Sequence, residues 1–307
     1  MKSGTHDGLA GVEALPAKSL EEFTATLKKR WKRYRKELKC CRKDLCKKAI
    51  HDFRVEARRL LSSVELLAGF VKASRLKKIE AAVKEHLDLF ADLRDTQVQL
   101  EAVDKLLRIH PAARPFQGYL AGREQRFTKK TRKSIKRASP GRLGKRVSAY
   151  REAVERRLDD CDPAEGTARL FGSIDKAFKR TRQLRAAIDP SDLQTIHRTR
   201  VAFKKFRYMA EALASYLPDA TEEELERMHG YQTLMGDIQD ARVLLGTLDK
   251  FLRKKEIEPG AASRFRTELL RRREWAVRVY LDAAGQLREF WPPERWRAVA
   301  RRKKGRI

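Results

Sequence analysis

His51-Asp52-Phe53-Arg54-Val55-Glu56-Ala57-Arg58-Arg59-Leu60 is answered 146 residues later by His197-Arg198-Thr199-Arg200-Val201-Ala202-Phe203-Lys204-Lys205-Phe206. His, Arg, Val and a basic pair return at identical spacing. On a helix turning about 100° per residue, His51, Arg54, Val55 and Arg58 share one side, and Phe53, Ala57, Leu60, Leu61 and Val64 share the other. The second copy divides the same way, with Phe203, Phe206, Ala210 and Leu213 on its apolar side. Both stretches therefore read as amphipathic helices with a basic stripe opposite a buried one.

The repetition is wider than this motif. Upstream, Leu27, Trp31, Lys32, Arg33 and Arg35 match Ile174, Phe178, Lys179, Arg180 and Arg182. Downstream, Asp92-Leu93-Arg94-Asp95 with Val98 and Leu100 returns as Asp237-Ile238-Gln239-Asp240 with Val243 and Leu245. Three matched segments in one order imply two copies of a helical unit. With 10 Pro and 16 Gly in 307 residues, helix breakers are few, so the chain reads as all-α.

Apolar spacing places a helix over about 20–40, a turn near Cys40–Asp44, and the His51 helix running to about Phe70. A long helix from Leu76 to about Ile109 follows, then helices over 116–138 and 143–158. In the second copy helices are expected over 167–188, 191–217, 221–255 and 261–290, broken at Pro190, Pro218 and Pro259-Gly260. Residues 1–17 are expected to be a disordered leader, 18–161 the first half, 162–290 the second, and 291–307 a basic tail carrying Arg301-Arg302-Lys303-Lys304.

Lys and Arg total 71 against 42 Asp and Glu, a formal charge of +29. Such an excess sets up a strong positive field and points to a polyanionic partner. The imbalance is local as well, with 15 basic and 4 acidic residues between Lys28 and Leu60. On the basic stripes no acid appears until Glu65 and Glu211. Like charges one turn apart repel, so the pattern invites an external anion. Tyr208 falls on this stripe where the first copy has Ser62, and is a candidate hydrogen-bond donor to a ligand.

Catalytic signatures are absent from the pattern. Gly141-Arg142-Leu143-Gly144-Lys145 lacks the spacing of a phosphate-binding loop, there is no His-Glu-x-x-His, and His51-Asp52 is not kept as His197-Arg198. Asp92, Asp95, Asp237 and Asp240 have the donor chemistry of Mg²⁺ ligands, but in so basic a chain internal pairing with Arg or Lys is the expected role. Cys40, Cys41, Cys46 and Cys161 read as unligated thiols of a reducing compartment. No cofactor and no metal are expected, and with no long apolar run the expected location is cytoplasmic and away from membranes.

The doubled His-x-x-Arg-Val-x-x-(Arg/Lys)-(Arg/Lys), each copy followed by an Asp-x-x-Val element, resembles the CHAD family, the conserved histidine α-helical domain, over about residues 20–290. The resemblance implies two helical bundles related by a pseudo-twofold axis, a basic central channel or groove, and binding of inorganic polyphosphate. It implies that His51, Arg54, Arg58, Arg59, His197, Arg200, Lys204 and Lys205 line that surface. The family's further Arg is Arg207 here and is replaced by Leu61 in the first copy. With the basic helices upstream contributing Lys28, Lys32, Arg35, Lys179 and Arg182, and with Tyr208, these make the expected ligand surface. The expected function is non-enzymatic polyphosphate binding, with association to polyphosphate granules in the cytoplasm. A nucleic-acid or ribosome-associated basic protein is the alternative, and a phosphatase using His51 or His197 as phosphoacceptor is the third reading.

Overall fold

Two hairpins of long helices, each opened by one of the matched segments, set the frame. In the computed structural model, which describes residues 15–138, 140–216, 221–253 and 259–291, α1 (Ala17–Lys43) packs along α2 (Lys47–Leu66) and α7 (Pro163–Ala186) along α8 (Leu193–Leu213). Between them come α3 (Ala73–Asp88), α4 (Ala91–Leu106), α5 (Arg114–Arg137) and α6 (Pro140–Asp159); α9 (Glu222–Leu252) and α10 (Pro259–Ala283) complete the order. The ten helices are accompanied by short 3₁₀ turns and by no strand among the described residues. The chain is all-α.

Local chemistry fixes several helix starts. Asp162 Oδ2 accepts from the backbone N–H of Ala164 and Glu165 at the head of α7, Asp192 Oδ1 from Gln194 N–H at α8, and Thr221 Oγ1 from Glu224 N–H at α9. Each cap satisfies donors that the first turn of a helix leaves free. Glu222, Glu223 and Glu224 in the first turn of α9 add favourable charge at its positive end.

The stretch expected as one helix from Leu76 to Ile109 is two, because the chain turns at Leu89-Phe90. Phe90 leaves the helical register to sit fully buried against Phe53 of α2, ring centroids 5.0 Å apart. Burying such a ring is worth about 1.5–3 kcal/mol, more than one interrupted turn costs. Its matched counterpart, α9, runs unbroken through 31 residues.

The interior does not divide at Asp162. One apolar cluster joins Leu27, Tyr34, Phe53 and Leu60 to Ile174, Phe178, Phe203 and Phe206. A smaller one joins Val103, Phe116 and Leu120 to Leu244, Phe251 and Phe265. Of the expected leader, residues 1–14 lie outside the described residues, while Leu15 is buried and its N–H donates to Thr167 Oγ1 at 2.8 Å. Of the expected tail only Trp291 is described, buried with its Nε1 donating to Asp175 Oδ1. No helix among the described residues is long and apolar enough to cross a membrane.

Candidate functional site

The apolar side of α2, through Phe53, Ala57 and Leu60, is sealed against its neighbours, and Phe203 and Phe206 do the same for α8. The basic stripes of α2 and α8 are thereby turned to a common side, and the two helices pack directly on each other. Arg54 and Arg58 from α2 and Arg200 and Lys204 from α8 become neighbours across 146 residues of sequence. Arg200 lies close enough to depress the ionisation of Arg54, Arg58 and Lys204.

Lys204 shows the result most clearly. Partial burial, then the charges of Arg58, Arg200, Arg54 and Arg207, push its ammonium down to about 6. Burial and the same crowd bring even the Arg58 guanidinium down to about 10, and Arg54 falls as well, through burial and then Arg94 and Arg200 against the opposing pull of Asp95. None of these four cations has a carboxylate within 4 Å among the described residues. Desolvated like charges with no direct counter-ion are costly to assemble, and a bound anion removes that cost.

Two seats hold the guanidinium groups. Arg54 Nη1 donates to the Leu87 carbonyl at 3.5 Å, a carbonyl beside the break between α3 and α4. Arg200 lies across α9 at Gly236, where an added Cβ would stand 3.5 Å from its Nη2, and its buried Nε meets no acceptor among the described residues. Arg94 and Gly236 were not among the residues singled out in the sequence. Arg94 sits within the Asp-x-x-Val element, and its side is decided only by where α4 begins.

The repeated acids flank this cluster. Asp95 on α4 and Asp240 on α9 are exposed to solvent on one side, yet partial desolvation raises both carboxyls against the opposing charges of Arg54, Arg94 and Arg200 on Asp95 and of Arg200 and Arg94 on Asp240. Of the four, Asp92 is the one with an ion pair among the described residues, to Lys130 at 3.2 Å. Among the described residues no group of three or more potential ligands could hold a metal ion.

The histidines stand at the N-terminal ends of the two stripes. His51 is exposed, and partial burial followed by the charge of Arg94 lowers it. His197 is lowered by burial, then Arg200 and Arg242, while Gln239 favours its charged form. Its Nδ1 is buried without a hydrogen-bond partner among the described residues. Neither ring has a carboxylate within 4 Å among the described residues.

The remaining expected residues divide. Lys205 pairs with Glu65 at 2.7 Å, and burial still holds that carboxyl up at about 7 because desolvation outweighs the partly exposed ammonium. Arg207 is only 6% exposed and is occupied by Gln232 Oε1 at 3.0 Å and by Glu211. It stacks on buried Tyr208 at 4.4 Å, whose phenol neighbours Arg58 from beneath. Arg59 is half-buried beside the stripe. Lys28, Lys32 and Arg35 are exposed on α1, which covers the opposite, apolar side of α2. Lys179 and Arg182 line a separate 360 Å³ recess with Arg185 and Arg288. The structure thus gathers Arg54, Arg58, Arg200 and Lys204, edges them with His51 and His197, and leaves the α1 and α7 cations outside the cluster.

A model of the CHAD domain family matches residues 25–249. The chain is similar in fold to a crystal structure of the CHAD domain from the plant Ricinus communis, at 17% identity and a TM-score of 0.60, covering 96% of this chain and 93% of that one. It is likewise similar to PptA from Streptomyces chartreusis, at 17% identity and a TM-score of 0.59, covering 88% and 99%. The curated proteins contain no match.

Proposed function

The chain belongs to the CHAD domain family, and from that premise we propose that it binds inorganic polyphosphate without turning it over. The observation that carries this reading is the juxtaposition of Arg54, Arg58, Arg200 and Lys204 with no carboxylate in ion-pairing range among the described residues. Polyphosphate carries about one charge per phosphate. Binding by such a cluster is driven by ionic contacts and counter-ion release, as for nucleic acids. Guanidinium forks grip phosphate oxygens in pairs, and the ammonium of Lys204 acts as a point charge that adapts to an irregular chain. Along each helix successive stripe positions rise about 6 Å, so one compact phosphate leaves part of the stripe unused and a linear polymer does not.

Duplex DNA fits less well, because base reading needs side chains such as Asn or Gln presented to a groove. Competition of long-chain polyphosphate against mixed DNA and RNA at moderate salt is the test. Polyphosphate should win, and equal or tighter nucleic-acid binding overturns the proposal. The non-enzymatic part has its own check. Orthophosphate release with Mg²⁺ that disappears in His51→Ala/His197→Ala would replace it with the phosphohistidine reading.

A further inference from the structure

Behind the acids that flank the cluster, α4, α9 and α10 line a half-open cavity of 610 Å³. Its walls are largely apolar, through Val98, Leu244 and Leu269, and Trp275 of α10 stands on it. That indole is 60% exposed, one of three large apolar side chains more than half exposed among the described residues. A mainly apolar cavity of this volume with a few converging polar groups has the form of a small-molecule site.

The polar groups choose the ligand's charge. Arg271 and Arg272 also line the cavity, but both are held by Glu268, at 2.9 and 2.6 Å, and those bonds drive that carboxyl down to about 2. Glu101 is paired with Lys47 at 3.3 Å. What remains without a direct partner is mostly acceptor. Asp237 and Asp240 are exposed one turn apart on α9 with no ion pair within 4 Å among the described residues. Gln99, which lines the cavity, is 3% exposed and its Oε1 meets no donor there. Among the described lining residues, Lys105, exposed on α4, is the one cation with no carboxylate within 4 Å.

We propose that this cavity binds a small organic cation, an amine or amidine on an apolar ring-sized body, with Asp237 and Asp240 taking its charge and Trp275 its ring. An indole face attracts cations as well as flat apolar groups. Metal ions are poorer candidates, since Mg²⁺ or Ca²⁺ would want six or more oxygens where this site offers apolar wall. The assignment does not rest on the polyphosphate reading: Arg200 acts on both carboxyls from a distance, but none of Arg54, Arg58, Arg200 and Lys204 lines the cavity.

Benzamidine and its uncharged isostere benzamide, titrated separately into the full chain by calorimetry, test it. Benzamidine should bind saturably and about tenfold tighter than benzamide, the ratio one charge-assisted contact supplies. In Asp237→Asn/Asp240→Asn the two should bind alike, and Trp275→Ala should weaken benzamidine several-fold. Both sets of positions lie at the surface, so helical circular dichroism should be unchanged. Equal affinities in the parent chain, no saturation by benzamidine, or a parent-like preference in the double Asn variant would overturn the assignment.

Discussion

Lys204 is the residue on which the electrostatics of the site converge. Its ammonium is held at about 6 against an ordinary 10.5, so between those values it is neutral in the folded chain and charged when unfolded. Folding then releases a proton, and the free protein gains stability from this group as pH rises from about 6 towards 10.5. Bound polyphosphate should reverse the shift by supplying negative charge against the burial and the neighbouring Arg58, Arg200, Arg54 and Arg207 that depress it. Binding should take up to one proton at Lys204 and weaken as pH rises through that window. Calorimetry at pH near 7.5 in buffers of differing ionisation enthalpy measures the uptake, and Lys204→Arg, charged throughout, should lose that proton while retaining affinity. The two seated guanidiniums offer a second prediction. Arg54→Glu with Arg200→Glu should flatten the salt dependence of polyphosphate binding by about 1.4 in log–log slope, the loss of two phosphate contacts on a single strand. Because both side chains lie opposite the apolar faces, helical circular dichroism should be retained. The stripe residues were legible in the sequence because spacing alone puts them on one side. Gly236 was not, since its importance lies in Arg200 crossing above it, a contact between α8 and α9 that no local pattern encodes. Arg207 and Tyr208 misled for a related reason: periodicity gives the angle around a helix, but not where along it neighbouring helices close over the surface.

At the scale of elements, the helices were readable and one junction was not. Apolar residues at Ile79, Val83, Leu87, Phe90 and Leu93 keep a helical rhythm straight through the point where α3 gives way to α4. With no Pro or Gly to mark it, the break is imposed by tertiary packing, as Phe90 turns to meet Phe53. The junction matters to the site because the Leu87 carbonyl there receives Arg54, and Leu89 O accepts from Thr131 Oγ1 of α5 at 3.2 Å. Phe90→Ala should therefore do two things at once. A fully buried ring lost from this corner should cost about 3–5 kcal/mol in denaturant unfolding, with the slope against denaturant unchanged. Arg54 should lose its seat on the Leu87 carbonyl, so polyphosphate affinity should fall in a variant that carries every cation of the cluster. If affinity is unchanged where stability falls, the junction is a packing device alone. The unbroken α9 has no such corner, and Arg200 rests on Gly236 within it. The two basic stripes, alike in sequence, are seated by different means.

Across the whole molecule the net charge of +29 acts on folding and on binding with opposite signs. A chain with so large an excess repels itself when compact, and dissolved salt relieves that repulsion within a Debye length of about 10 Å at 0.1 M. Raising ionic strength from a few millimolar should therefore raise the melting temperature of the free protein. The same salt competes with Lys and Arg for phosphate, so polyphosphate affinity should fall steadily over that range. A saturating polyanion stabilises the folded state by mass action and neutralises the cluster that salt would otherwise screen. The melting temperature with polyphosphate present should then start high and decline with salt until it meets the rising curve of the free protein. A free-protein curve that stays flat would mean that surface pairs such as Arg151–Glu155 and Arg266–Asp249 already balance the repulsion, leaving only the cluster between α2 and α8 under strain. Lys204→Met separates the two cases. Below about pH 6, where Lys204 is charged in the folded chain as well, it removes the ammonium at the centre of the crowd while leaving the surface charge nearly unchanged. If strain is concentrated in the cluster, that one substitution should reproduce much of the salt stabilisation. If repulsion is spread over the whole surface, the variant should respond to salt as the parent does.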